Sequence, residues 1–173
     1  PLAIGLAERT KAALHLVHVL ESRADATPMR EYLAEVSARV AARATGGVHT
    51  AVAIGEVAEA ITAYADEHAA DVVVMATHGR GGVSRAWLGS VAELLISTLP
   101  MPVLLQRPPA SPALTLQRAL PRRIFVPLER SEASASILPH AELLATELGA
   151  ELILATVIAP IEVRAAALVQ MHV

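Results

Sequence analysis

The stretch from Asp71 to Glu93, DVVVMATHGRGGVSRAWLGSVAE, limits the possible fold more than any other part of the chain. It opens on a short apolar run, Val72 to Met75. Such a run suits a fully buried strand and is too short for a buried helix. A loop with glycines at 79, 81, 82 and 89 follows, and a helix is expected from Ser90. Ser90-Val91-Ala92-Glu93 has the capping-box pattern, which predicts the serine hydroxyl on the third helical N–H and the glutamate folded back. Strand, glycine-rich loop and helix N-terminus together suit an anion such as phosphate. Bare N–H groups and the helix dipole both point at it.

The flanking segments alternate in type. Pro1 to Thr10 reads as the end of a helix, and Leu14 to Leu20 as a strand. Met29 to Ala44 is an amphipathic helix with Leu33, Val36 and Val40 on one stripe, ended by Gly46-Gly47. Val48 to Ile54 is a strand, and Glu56 to Ala69 a helix with Val57, Ile61 and Tyr64 on its apolar side. Beyond the central loop a helix over Val91 to Leu99 is stopped by Pro100 and Pro102, and Val103 to Gln106 is a short strand. Alternation of this kind predicts an α/β fold: a parallel sheet with helices on both faces. Pro108, Pro109, Pro112 and Pro121 mark a linker. A strand over Arg123 to Leu128, a helix over Ala133 to Leu148, Gly149 and a strand over Leu152 to Val157 follow, and the apolar tail from 158 to 173 is unassigned.

The chain also repeats itself. Pro1 to Val19 aligns without a gap on Pro139 to Val157, matching Ala3 with Ala141, Leu6 with Leu144, Ala7 with Ala145, Leu14 with Leu152 and Val19 with Val157. This divides the chain into a first unit over residues 1–107, a linker over 108–121 and the start of a second unit over 122–173. Unit one then lacks its first strand, and unit two everything after its second. Either residues lie outside this chain, or one composite domain is assembled from both units.

Composition removes several classes of function. With 173 residues the chain is long enough to bury a good core. A net charge of −3 offers no electrostatic case for nucleic acid or an anionic membrane as the main partner. The chain holds no cysteine, so disulfides, thiolate metal sites and cysteine nucleophiles are excluded. No apolar run approaches the roughly 18 residues of a membrane span. The expected location is the cytoplasm.

With loop and repeat in hand, the chain resembles the universal stress protein family, in its tandem form. Its Ile124-Phe125-Val126-Pro127-Leu128-Glu129-Arg130-Ser131 is similar to the family's first-strand V-P-L-D-G-S signature, and Leu16-Val17-His18-Val19 to its L-H-V strand ending. Ala76-Thr77-His78-Gly79, nine residues and Gly89-Ser90 resemble its nucleotide motif, G-x2-G-x9-G-[ST]. The resemblance implies a flavodoxin-like (Rossmann-like) open sheet of order 3-2-1-4-5, with a ligand at the C-terminal strand ends where strand order reverses. It implies ATP, with Mg²⁺, as the cofactor. The matching positions are Val19, Met75, Ala76, Gly79, Gly89, Ser90, Val91, Pro127 and Glu129. Two of these depart from the pattern: Ala76 replaces the motif's first glycine, and Glu129 the aspartate that usually faces the base. Glu129 moreover belongs to unit two, whereas the glycine loop belongs to unit one.

The function implied is that of an adenine-nucleotide-binding sensor or regulator rather than an enzyme, with slow ATP hydrolysis ranked last. The alternative is a structural, dimer-forming member whose site is degenerate. The apolar edge strand Val103 to Gln106 points to a homodimer, or to unit-to-unit pairing within the chain. Gly79 and Gly89 are expected to take positive φ at the loop ends. Arg80 and Arg85 read as solvated, Trp87 as packed under the loop, and His78 as a loop-shaping hydrogen-bonding group without a partner nucleophile. His15 and His18 face opposite sides of a strand, and His49, His68, His140 and His172 show no ligand spacing, so no metal site is expected. No Walker-type lysine motif is present, and Ser84 occupies the last glycine position of a G-x-G-x-x-G run from Gly79.

Overall fold

The computed structural model describes residues 2–22, 25–77, 89–106, 120–129 and 131–157. Helix α1 (Leu2–Thr10) leads into strand β1 (Leu14–Leu20), then α2 (Thr27–Val40), β2 (Val48–Ile54), α3 (Val57–Glu67) and β3 (Val73–Ala76). After the central loop come α4 (Ser90–Thr98) and β4 (Val103–Gln106). Strand β5 (Arg123–Leu128), helices α5 (Glu132–Ala135) and α6 (Leu138–Leu148) and strand β6 (Glu151–Thr156) complete the described elements.

All the strand pairings are parallel. β1 pairs with β2 (Leu14 opposite Val48 through Leu20 opposite Ile54), β3 with β4 and β5 with β6. Each pair is a separate two-stranded sheet, so among the described residues nothing joins β1 to β3. β5, the expected first strand of unit two, pairs with β6 and does not enter that gap.

Both faces of the β1–β2 pair are covered. Leu14 and Leu16 face a cluster with Ala3, Ile4 and Ala7 of α1, Val40 at the end of α2 and Ala44 just beyond it. Alternate side chains of a strand point to opposite faces, so His15 looks the other way, towards α3. There its ring meets Tyr64. α3 also packs against α4, which links the first half-sheet to the helix that follows the central loop. Within α4, Leu95 is fully buried at 0% exposure and Ala92 nearly so.

Several boundaries differ from expectation, for local reasons. α2 begins at Thr27 rather than Met29: Asp25 Oδ1 accepts the Thr27 N–H at 2.9 Å, and Pro28 sits in the first turn, where its missing N–H costs nothing. The same helix stops at Val40, four residues early, and the chain turns with the Ala44 N–H still bonded to the Val40 carbonyl. The Gly46-Gly47 pair serves the next contact instead. A Cβ at Gly46 would run into the backbone of Lys11 and Ala12, so only glycine allows the α2–β2 turn to lie against the α1–β1 turn. The helix expected over Ala133 to Leu148 is broken into α5 and α6, because Pro139 cannot donate to the preceding turn and instead opens a new helix. Gly149 ends α6 at φ 61°, as a left-handed cap should.

The aligned helices α1 and α6 touch. Arg9 Nε donates to the Glu147 carbonyl at 3.4 Å, and these two residues are 138 apart, the spacing of the repeat. The aligned pair Ala7 and Ala145 are both buried.

Candidate functional site

The C-terminal strand ends are assembled mainly from backbone. Val19 is half-buried on β1 opposite Ala53, and the Gly55 N–H continues the ladder to the Leu20 carbonyl. Glu56 caps α3 with its own carboxylate, which accepts the Glu59 N–H at 3.0 Å. On β3, half-buried Met75 lies opposite Leu105 and exposed Ala76 opposite Gln106, and the Thr77 N–H reaches the Gln106 carbonyl at 3.0 Å. Gly79, His78, Arg80, Arg85 and Trp87 lie outside the described residues.

At the far side of the loop two expectations are corrected. Gly89, not Ser90, is the cap of α4, and no side chain caps the helix. The Glu93 N–H bonds to the Gly89 carbonyl, which makes Ser90 the first residue inside the helix and rules out the Ser90–Glu93 box. Gly89 itself has φ −72° and ψ 153°, an extended conformation open to any residue, so positive φ is not why glycine stands there. Its remaining advantage is the absence of a side chain. Ser90 is exposed and Val91 half-buried at the head of the helix. The leading N–H groups are thus left without a side-chain acceptor among the described residues, at the positive end of the helix dipole.

Pro127 and Glu129 sit elsewhere. They line an open groove of ≈ 710 Å³ at the end of the β5–β6 pair, with Phe125, Leu128, Ser134 and Val157 among its walls. Val19, Met75, Ala76, Gly89, Ser90 and Val91 do not line it. Glu129 is tied into its own loop. Its N–H donates to Ser134 Oγ at 2.9 Å, and its carboxylate accepts the Ser131 hydroxyl at 3.1 Å. Ser131 in turn caps α5 by accepting the Ser134 N–H. The predicted residues therefore fall into two groups, one on β1, β3 and the head of α4 and the other at the end of the β5–β6 pair.

The starts of the strands carry a cluster that residue spacing did not reveal. His15 and His49 are register partners on β1 and β2, with ring centroids 4.7 Å apart. His68, just past α3, lies 5.2 Å from His15 and stacks on Tyr64 at 4.0 Å. The Tyr64 hydroxyl and His15 Nδ1 are hydrogen-bonded at 3.0 Å. Burial, then the charges of His49 and His68, hold the His15 pKa below its ordinary value. Burial, then Glu67, raise that of Tyr64. Among the described residues no three side chains of this kind are placed to share one metal ion.

These features have counterparts. The model of a family described as the universal stress protein family matches residues 2–107, well over half of the chain. The chain belongs to the universal stress protein family. A curated universal stress protein of Methanocaldococcus jannaschii is 40% identical over 62 residues. That match spans 36% of this chain and 36% of the relative, about a third of its length. Among solved structures, the universal stress protein UspA from Lactobacillus plantarum superposes with a TM-score of 0.55 at 20% identity, over 61% of this chain and 84% of its own. That likeness shows the α/β flavodoxin-like fold. A universal stress protein solved in complex with cAMP reaches a TM-score of 0.49 at 23% identity, over 61% and 84%, too low to add to it. The family match stops at residue 107, short of β5, α6 and β6. No described helix is long and apolar enough to cross a membrane.

Proposed function

We propose that this universal stress protein binds an adenine nucleotide, ATP with Mg²⁺, at the C-terminal strand ends of unit one and acts as a stress-response sensor or regulator. The observation that carries this reading is the head of α4. Its first N–H groups have no side-chain cap, its cap residue has no side chain, and the helix follows a strand and a glycine-rich loop. Such an end suits phosphate oxygens. Met75 and Ala76 at the end of β3 and Val19 near the end of β1 would flank the nucleotide. Nucleotide binding shifts a conformational or assembly equilibrium only as far as the two states differ in affinity, and that is the regulatory step we assign to it. A general base is not evident beside the loop, so turnover is not part of the proposal.

The tandem arrangement belongs to the same proposal. It is supported by the gap-free repeat and by the contact of the aligned helices α1 and α6. β4 pairs with β3 on one side only among the described residues, which supports pairing of its apolar outer edge, in a homodimer or within the chain. A cytoplasmic location completes the reading. A second reading, a structural member with a degenerate site, is favoured by Ala76 and by the Glu129 carboxylate being engaged by Ser131.

Calorimetry with Mg-ATP on the full chain, beside Gly89→Val, separates the two. The extended angles at Gly89 accept valine without backbone strain, so a lost signal reports close approach of the ligand. Binding on the order of micromolar that the variant loses supports the nucleotide reading. No heat from well-folded protein supports the structural one.

A further inference from the structure

The cluster at the strand starts lies at the opposite end of β1 from Val19. His15 is the second residue of the strand and Val19 the last but one. Three elements meet at the His15 ring. His49 approaches from the neighbouring strand, Tyr64 from the C-terminal turn of α3 and His68 from the cap just past it. The hydrogen bonds fix part of the protonation pattern. His68 Nδ1 lies 3.0 Å from the Tyr64 carbonyl oxygen, which can only accept, so Nδ1 carries the hydrogen. The Tyr64 hydroxyl meets His15 Nδ1, and the Tyr64 ring lies nearly parallel to His68, at 16°. One tyrosine is thereby fastened to a strand by its hydroxyl and to the end of its own helix by its ring and carbonyl.

We propose that His15, His49, Tyr64 and His68 form a proton-responsive clamp, closed when the imidazoles are neutral, that holds the C-terminal turn of α3 against the starts of β1 and β2 and loosens on acidification. The His49 and His68 rings each lie about 5 Å from that of His15, and among the described residues none of the three is ion-paired with a carboxylate. The described ion pairing, Arg43 with Glu8, lies elsewhere. A proton on one ring therefore disfavours a proton on the next. Burial and the two neighbouring histidines act in this direction on His15.

The other charged groups around the cluster do not cancel the effect. Glu67 on α3 acts on Tyr64. α2, packed on β1 and β2, carries Arg30, Glu31, Glu35 and Arg39, and α4, packed on α3, carries Glu93. None of these contributes to the displacement of His15. Of the side chains in the cluster, His49 and His68 are solvent-exposed, while His15 and Tyr64 are half-buried. The clamp is thus open to solvent at its rim and half-buried at its centre. Because the nucleotide reading concerns the other end of the strands, either can fail without the other.

The test uses the full chain, wild type beside His15→Phe and the double variant H49Q/H68Q, whose sites are exposed and spare the core. Imidazole NMR titration follows His15. Amide exchange protection, corrected for intrinsic pH dependence, follows Ala69 and Ala70, whose N–H groups close the end of α3. The clamp predicts that the His15 titration moves up in H49Q/H68Q. It also predicts that protection of the α3 turn falls severalfold on going from neutral to mildly acidic solution in wild type, and does not change with pH in His15→Phe. An unmoved His15 titration in the double variant overturns the proposal. So does a loss of protection on acidification as large in His15→Phe as in wild type.

Discussion

The two ends of the parallel strands are built from different material. At the C-terminal ends the described features are main chain: the head of α4 without a side-chain cap, extended Gly89 and the ladder ends at Leu20 and Gln106. At the strand starts they are side chains, His15, His49, Tyr64 and His68, drawn from two strands and a helix. A backbone site needs small residues at fixed local intervals, and those intervals can be read along the chain. A side-chain cluster needs the fold first, because residues 15, 49, 64 and 68 become neighbours only when β1, β2 and α3 have packed.

The comparison is broken most severely by removing what positions each end. Leu95 lies at 0% exposure beneath α4, so Leu95→Ala should cost about 2–5 kcal/mol of stability in urea denaturation. A loss well under 1 kcal/mol would mean that the α4 end is held by something other than its core leucine. At the other end, Gly46→Ala should cost about 1–3 kcal/mol, because its methyl must displace the backbone at Lys11 and Ala12, next to the starts of β1 and β2. If Gly46→Ala were neutral, the two turns would not be pressed together as described.

Smaller effects sharpen the contrast. The His15 pKa is lowered in the folded chain, so its unfolded form binds the proton more readily. Its contribution is then fully present above the unfolded value near 6.5 and is lost as pH falls from there towards the folded pKa. Denaturation curves at neutral and mildly acidic pH should differ less for His15→Phe than for wild type, and equal differences would remove His15 from the account. The smallest change is expected at the surface pair Arg43–Glu8, whose side chains are 55% and 46% exposed. Arg43→Gln should alter stability by about 0–1 kcal/mol, less at high salt. A larger loss would place a structural role outside both ends.

What could be read in the chain follows the same division. Strands β1, β2, β4 and β5 begin and end as expected, since each is a short apolar run fenced by glycine, proline or charge. The family was legible because its motif is a matter of spacing within one loop. Helix ends were less so. Thr27-Pro28 reads equally as loop or as first helical turn until Asp25 is seen accepting the Thr27 N–H. The Ser90–Glu93 pattern pointed to a box one residue too late, because the extended Gly89 already supplies the cap carbonyl. Pro139 was read only as the start of the repeat, and the apolar pattern running across it hid the division into α5 and α6. The histidine cluster left no local trace, since its members are too far apart in the chain for any ligand spacing.

The most direct measurement is an NMR titration of the isotope-labelled full chain with Mg-ATP at neutral pH, following both ends at once. The account predicts saturable shifts of the Ser90, Val91 and Ala92 amides while the ring signals of His15, His49 and His68 stay in place. Shifts at the three rings with the head of α4 unmoved would contradict it.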